Sequence, residues 1–198
     1  MSQSKAEKTR QFIIEKSAPV FNAKGFAGTS INDLTEVTGL TKGSIYGNFA
    51  NKDAVALAAF DHNFGKVVSF IKQQIESKTT VIDKLLVYPQ VYRNFLDIPF
   101  LEAGCPVLNT ATEADDTHPM LRKKVVAALQ LWKRSIENLL NHGIDTGEIK
   151  NDTPVAEFTA VLMCLIEGAV MQSKAYGAPA MLQHTMDYLE RGIVNLKT

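Results

Sequence analysis

A chain of 198 residues with 45% hydrophobic residues can bury one good core, or a small head plus a larger body. Its formal net charge of +0 argues against a protein that coats nucleic acid indiscriminately. Its two cysteines, Cys105 and Cys164, are too far apart to suggest a disulfide framework or a metal-ligand spacing.

Charge is unevenly placed. Residues 1–52 hold seven Lys/Arg against four Asp/Glu, while residues 53–198 hold fourteen against seventeen. A basic head on an acidic body suits oriented docking on DNA. The start of the chain is rich in Lys and Glu with no apolar signal stretch, and no run of 18 apolar residues occurs. The expectation is a soluble, cytoplasmic protein with no membrane partner.

The first helix is predicted from Lys5 to Lys24, ending at Gly25. Ile14, Ala18 and Phe21 share one face, Phe12 and Ile13 widen it, and Pro19 should bend it. Next comes Thr29-Ser-Ile-Asn-Asp-Leu-Thr-Glu-Val-Thr-Gly39. Ser30 or Thr29 caps a short helix, Asp33 is the acidic partner of a capping box, and Ile31, Leu34 and Val37 keep helical spacing. Gly39 ends this helix in a left-handed turn and Leu40 plugs the corner. Thr41 then caps a second short helix, in which Ile45 and Phe49 face inward. Lys42, Ser44, Tyr46 and Asn48 are left for solvent or a partner. Two short helices about a glycine corner form a helix-turn-helix, whose second helix reads the DNA major groove. Such hairpins also occur in proteins that never touch DNA. The exposed donors argue for DNA: a capped helix start binds anions, Gly43 admits a phosphate closely, and Lys, Ser, Tyr and Asn suit phosphates and base edges.

Asn51 caps a long connector helix carrying Leu57, Phe60, Phe64, Val67, Ile71 and Ile75 as far as Ser77, with Lys52 at its start as a phosphate contact. Thr79 or Thr80 restarts the chain into a helix through Val81, Leu85, Tyr88, Tyr92, Phe95 and Leu96, broken by Pro89. After a turn around Pro99, Cys105 takes the capping position of a short helix with Pro106 first in it. Pro119 opens a long helix through Leu121, Val125, Leu129, Trp132, Ile136 and Leu140, closed by His142-Gly143. Thr153-Pro154 begins a helix apolar on nearly every face, from Val155 to Val170, which needs cover on both sides. Tyr176-Gly-Ala-Pro179 breaks it. The last helix offers Met181, Leu182, Met186, Leu189 and Ile193. Two terminal helices from each of two chains would make a four-helix homodimer bundle.

The head also resembles the tetracycline-repressor (TetR) family of bacterial transcription regulators. The resemblance rests on Ile14, Ala18, Phe21, Gly25-Phe-Ala-Gly-Thr-Ser30, Ile31 to Leu34, Gly39, Thr41-Lys-Gly-Ser-Ile-Tyr46, Phe49 and Lys52. Thr35 and Thr38 stand where that family usually has small alanines, and Asn48 where an aromatic is frequent. Gly104-Cys105-Pro106 through Glu113 looks like the ligand-domain motif of one branch of the family, some of whose members sense electrophiles or oxidants through this cysteine.

Enzyme signatures are absent: there is no glycine-rich phosphate loop, no His-Glu-x-x-His and no nucleophile elbow, and His62, His118, His142 and His184 are scattered. The body can bind something small. Its candidate ligand residues are Phe64, Tyr88, Tyr92, Cys105, Asn109, Glu113, Trp132, Met163, Glu167 and Met171. Helical spacing alone also explains the aromatics and methionines as core. Glu167 pairs with a ligand cation or with a neighbour such as Lys174. A thiol at a helix start favours thiolate, so Cys105 is the expected reactive cysteine and Cys164 the inert one.

The expected molecule is therefore all-α, of about nine helices. Residues 1–52 form a three-helix DNA-binding head, and residues 53–198 a ligand-binding and dimerisation bundle. It would be a non-enzymatic, ligand-responsive regulator, a repressor on palindromic double-stranded operator DNA, needing no cofactor or metal. Lys42, Tyr46 and Asn48 would reach bases or nearby phosphates, Gly43 and Ser44 would sit at the groove, and Thr29, Ser30, Thr41 and Lys52 would hold the DNA backbone. The alternative is a helical small-molecule-binding protein whose head contacts a protein partner.

Overall fold

A computed structural model describes residues 4–198, and among them nine α-helices account for the regular structure. In order these are α1 (Lys5–Gly28), α2 (Ile31–Thr38), α3 (Lys42–Asn48), α4 (Lys52–Glu76), α5 (Val81–Arg93), α6 (Pro106–Ala114), α7 (Pro119–Asp145), α8 (Val155–Tyr176) and α9 (Ala180–Val194). Two 3-10 turns, Phe95–Asp97 and Pro99–Leu101, join α5 to the segment before α6. The chain's contacts group it into two compact units: one runs to Lys66 and adds Cys105–Val126, and the other comprises Val67–Gly104 and Ala127–Thr198. The first unit thus takes α6 and the start of α7 in addition to the head read from the sequence.

Local capping sets most helix boundaries. Ser4, Thr80 and Asn51 each accept a bond from a backbone N–H three residues on, in Asn51's case from Ala54 at 2.9 Å. In the first unit Ile13, Ala18, Leu34, Ile45, Phe49 and Val55 form one core, with Ile14, Phe26, Ile31 and Leu40 packed around it. Phe12 is exposed, not part of the inward face, because Ile13 and not its neighbour points to α2 and α3. Val37 is exposed too. Thr38 is buried in its stead, and its hydroxyl donates to the Leu34 carbonyl at 2.6 Å.

In the second unit α9 packs against both α5 and α8. Arg93 bridges to Asp187 and Glu190 on α9 at 2.7 and 2.9 Å. Pro89 does not break α5: the helix continues through the buried proline to Arg93. Nor does α7 close at His142-Gly143. It runs to Asp145, and Gly143 lies where any Cβ would come within 2.6 Å of the Ile149 side chain. Helix α8 is long and apolar enough, by length and composition, to cross a membrane, and only 28% of its most apolar window is buried. Its exposed stripe includes Val161, Cys164 and Met171.

Candidate nucleic-acid interface

Helix α2 starts on a closed capping box. Asp33 N–H donates to the Ser30 hydroxyl at 3.2 Å, and Ser30 N–H donates back to the Asp33 carboxylate at 2.7 Å. Lys24 at 2.5 Å is the largest influence holding the Asp33 carboxyl well below the usual carboxylate range, followed by the Ser30 hydroxyl and N–H. Gly39 closes α2 at φ +66°, a left-handed conformation that costs other residues free energy. Two residues on, the Thr41 hydroxyl accepts from Ser44 N–H at 3.1 Å and starts α3.

Seven residues make a helix too short to persist alone in water. Tertiary pins hold it: Ile45 and Phe49 are buried in the core. At its far end the Arg10 guanidinium donates to the Asn48 carbonyl at 2.8 Å and lies 3.9 Å above the Phe49 ring. Sequence reasoning missed Arg10, although it precedes Ile13 and Ser17 on the buried stripe of α1 by three and seven residues.

The side of α3 left open carries Lys42, Gly43 and Tyr46, with Ser44 half-buried. Tyr46 is 38% exposed, and the Lys42 ammonium stands 5.9 Å from its ring. Asn48 is half-buried and its amide already donates to the Ser44 carbonyl at 2.9 Å. Ser30 and Thr41 are exposed at the helix starts.

Two of the expected backbone contacts hold partners within the chain. Thr29 is fully buried, its hydroxyl donating to the Gly25 carbonyl at 2.6 Å. Lys52 donates to the Phe26 and Thr29 carbonyls at 2.8 and 2.9 Å and sits 4.1 Å over the Phe26 ring. Its ammonium closes the end of α1 with two of its three N–H donors, and the residue is half-buried.

The expected ligand residues divide. Tyr88, Tyr92 and Trp132 come together in the second unit, with Tyr92 stacked between Trp132 at 5.8 Å and Phe95 at 4.9 Å. The Tyr88 hydroxyl donates to Ser135 at 3.1 Å, and burial pushes that phenol's pKa up, so it remains a donor. Trp132 is buried with no partner for its indole N–H. Met163 and Glu167 are half-buried on α8, whereas Met171 is exposed. Phe64 stacks on Phe60 in the first unit.

Asn109 and Glu113 lie in the first unit, where they line a cleft with Phe21, Asn22 and Phe26. The Asn109 amide donates to Asn22, and the Glu113 carboxylate accepts from two backbone N–H groups of the α1 end. Cys105 sits at the start of α6 and is only 2% exposed, whereas Cys164 is exposed. A groove of about 270 Å³ in the second unit, lined by Phe70, Gln74, Val87, Gln90, Asn94 and Ile98, carries none of the expected residues. Among the described residues no metal-ligating cluster forms.

A capped, braced helix with donors on its open side, on an all-helical chain, defines the class of helix-turn-helix regulators. Comparison with known families agrees. Residues 13–59 match the model of bacterial regulatory proteins of the tetR family, and residues 81–189 match a tetracyclin repressor-like C-terminal domain. A TetR-family regulator from Cytophaga hutchinsonii superposes with a TM-score of 0.95 at 45% identity, over 100% of this chain and 99% of that one. A TetR regulator from Chloroflexus aurantiacus J-10-FL gives 0.93 at 35%, over 98% of each. The transcriptional regulator TtgR of Pseudomonas putida is 37% identical over 174 residues, 85% of this chain and 81% of that protein. The chain belongs to the TetR family of bacterial transcription regulators. These are DNA-binding, ligand-responsive proteins, repressors among them, and not enzymes.

Proposed function

We propose that two copies of this chain form a cytoplasmic repressor that places α3 of each copy in the major groove of a palindromic operator and releases it when a small effector binds. The observation that carries this is the open side of α3, where Lys42 and Tyr46 are exposed donors on a helix pinned from behind by Ile45 and Phe49. Lys42 and Tyr46 would read bases or adjacent phosphates, with Ser30, Thr41, Gly43 and Ser44 fixing register on the backbone. Asn48, which donates one amide hydrogen to the Ser44 carbonyl, would join them through its second amide hydrogen or its carbonyl oxygen. Residues 1–52 remain the DNA-contacting part and 53–198 the effector and dimer part.

The second copy would cover the apolar stripe of α8 with that of α9, where Tyr188 and Val194 are exposed. Half-sites one helical turn apart then require both heads at once. For the trigger, burial of Cys105 supports a bound effector over direct cysteine modification. Tyr88, Tyr92 and Trp132 offer that effector flat apolar walls and one unmet indole N–H.

The test is selection of a duplex from a randomised pool by the wild-type protein, followed by footprinting. We expect a two-fold symmetric footprint and binding that weakens steeply with salt. Tyr46→Ala should weaken binding about tenfold or more without altering the sedimenting species. Tight binding by that variant would remove Tyr46 from the interface.

A further inference from the structure

The end of α1 is not a simple helix terminus. Gly25 departs from helical geometry at φ +72°, ψ 179°, a conformation only glycine adopts readily. The departure releases the next N–H groups from the α1 ladder, and Phe26 and Ala27 both donate to the Glu113 carboxylate of α6 at 2.7 Å. These are charge-assisted bonds, roughly twice as strong as neutral ones. The fit is tight, since a Cβ at Gly25 would lie 2.5 Å from the same carboxylate. Immediately afterwards Lys52 takes the Phe26 and Thr29 carbonyls, and Ser30 opens α2. The path of the chain into the helix-turn-helix is thus held on its N–H side by a carboxylate 86 or more positions away and on its carbonyl side by Lys52.

We infer that Glu113 is a positioning residue for DNA binding: through the N–H groups of Phe26 and Ala27 it sets the direction in which α2, and hence α3, leaves α1. The claim rests on the DNA-binding reading, and the experiment separates the two. Wild type, Glu113→Gln and Glu113→Ala are titrated with a labelled duplex selected by the wild-type chain, at several salt concentrations. Thermal melting and amide exchange at Phe26 and Ala27 are recorded alongside.

Gln keeps one carbonyl acceptor and no charge, so affinity should fall about fivefold, and with Ala, which keeps none, by about thirtyfold. The slope of log affinity against log salt should stay at the wild-type value, because no phosphate contact is lost. Exchange at Phe26 and Ala27 should quicken in the same order. Amide exchange reports on the Glu113 contact even if the Ala variant folds poorly, and the isosteric Gln variant supplies the affinity. Wild-type affinity in a Gln variant whose Phe26 and Ala27 amides exchange faster would overturn the inference while leaving DNA binding intact. Unchanged exchange at both amides would overturn it as well. A wild-type chain that selects no duplex would remove both readings together.

Discussion

Helix α3 is seven residues long and shows solvent Lys42 and Tyr46; helix α8 is twenty-two residues long and shows solvent Val161, Cys164 and Met171. The first face is polar and stable in water as it stands, but its helix needs bracing from Ile45, Phe49 and Arg10. The second belongs to a helix long enough to persist, but water is a poor neighbour for its side chains. One region lacks rigidity of its own and the other lacks cover. On the proposed reading, in which two copies dock on one duplex, the first deficit is met within each chain and the second between chains.

The sharpest way to break this contrast is to charge the apolar face. In the proposed pairing of two copies through α8, Val161→Arg should leave a charge buried at the seam, at a cost of about 3–5 kcal/mol, and leave monomers that no longer hold operator DNA. Sedimentation checks it, and a dimer that survives would mean that α8 is not the seam. Next in size is the brace. Ile45→Ala empties a fully buried site in the core of the first unit and should lower stability by about 2–4 kcal/mol in a thermal or denaturant melt. Sedimentation at low temperature should still find the dimer, so the two faces fail separately.

The smallest expected effect is in pH. Burial, aided by Lys66, lowers the His62 pKa, so the unfolded chain takes up a proton more readily than the folded one. That contribution is fully present above the unfolded value of about 6.5 and is lost as pH falls through the lowered folded value. Asp33 follows the same sign lower down: its carboxyl is depressed, and the stability it lends fades in acid below about pH 4. His62→Gln should flatten the profile of the melt between about pH 7 and pH 5. A variant whose profile matches wild type would remove His62 as the cause.

What could be read in advance follows the reach of each interaction. Ser30 with Asp33, Gly39, Thr41 and Asn51 act over two to four residues, so residue type and spacing announce them. Burial was harder by a single position, as Phe12 against Ile13 and Val37 against Thr38 show: a helical stripe is broader than the step between neighbours. A polar residue on a body helix, such as Glu113 or Asn109, suggests a pocket, and its bonds to the end of α1 are not legible from local spacing. Their partners lie 86 or 87 positions away and leave no local pattern. Cys105 was correctly placed at a helix start, yet the sequence does not tell how deeply a capping residue is buried.

The contrast between the two thiols has a practical side. With Cys105 enclosed and Cys164 open on the face of α8, a maleimide dye should tag the free subunit at one position and stall when subunits pair. Labelling speed, followed across a dilution series, then becomes a gauge of assembly that needs no engineered probe.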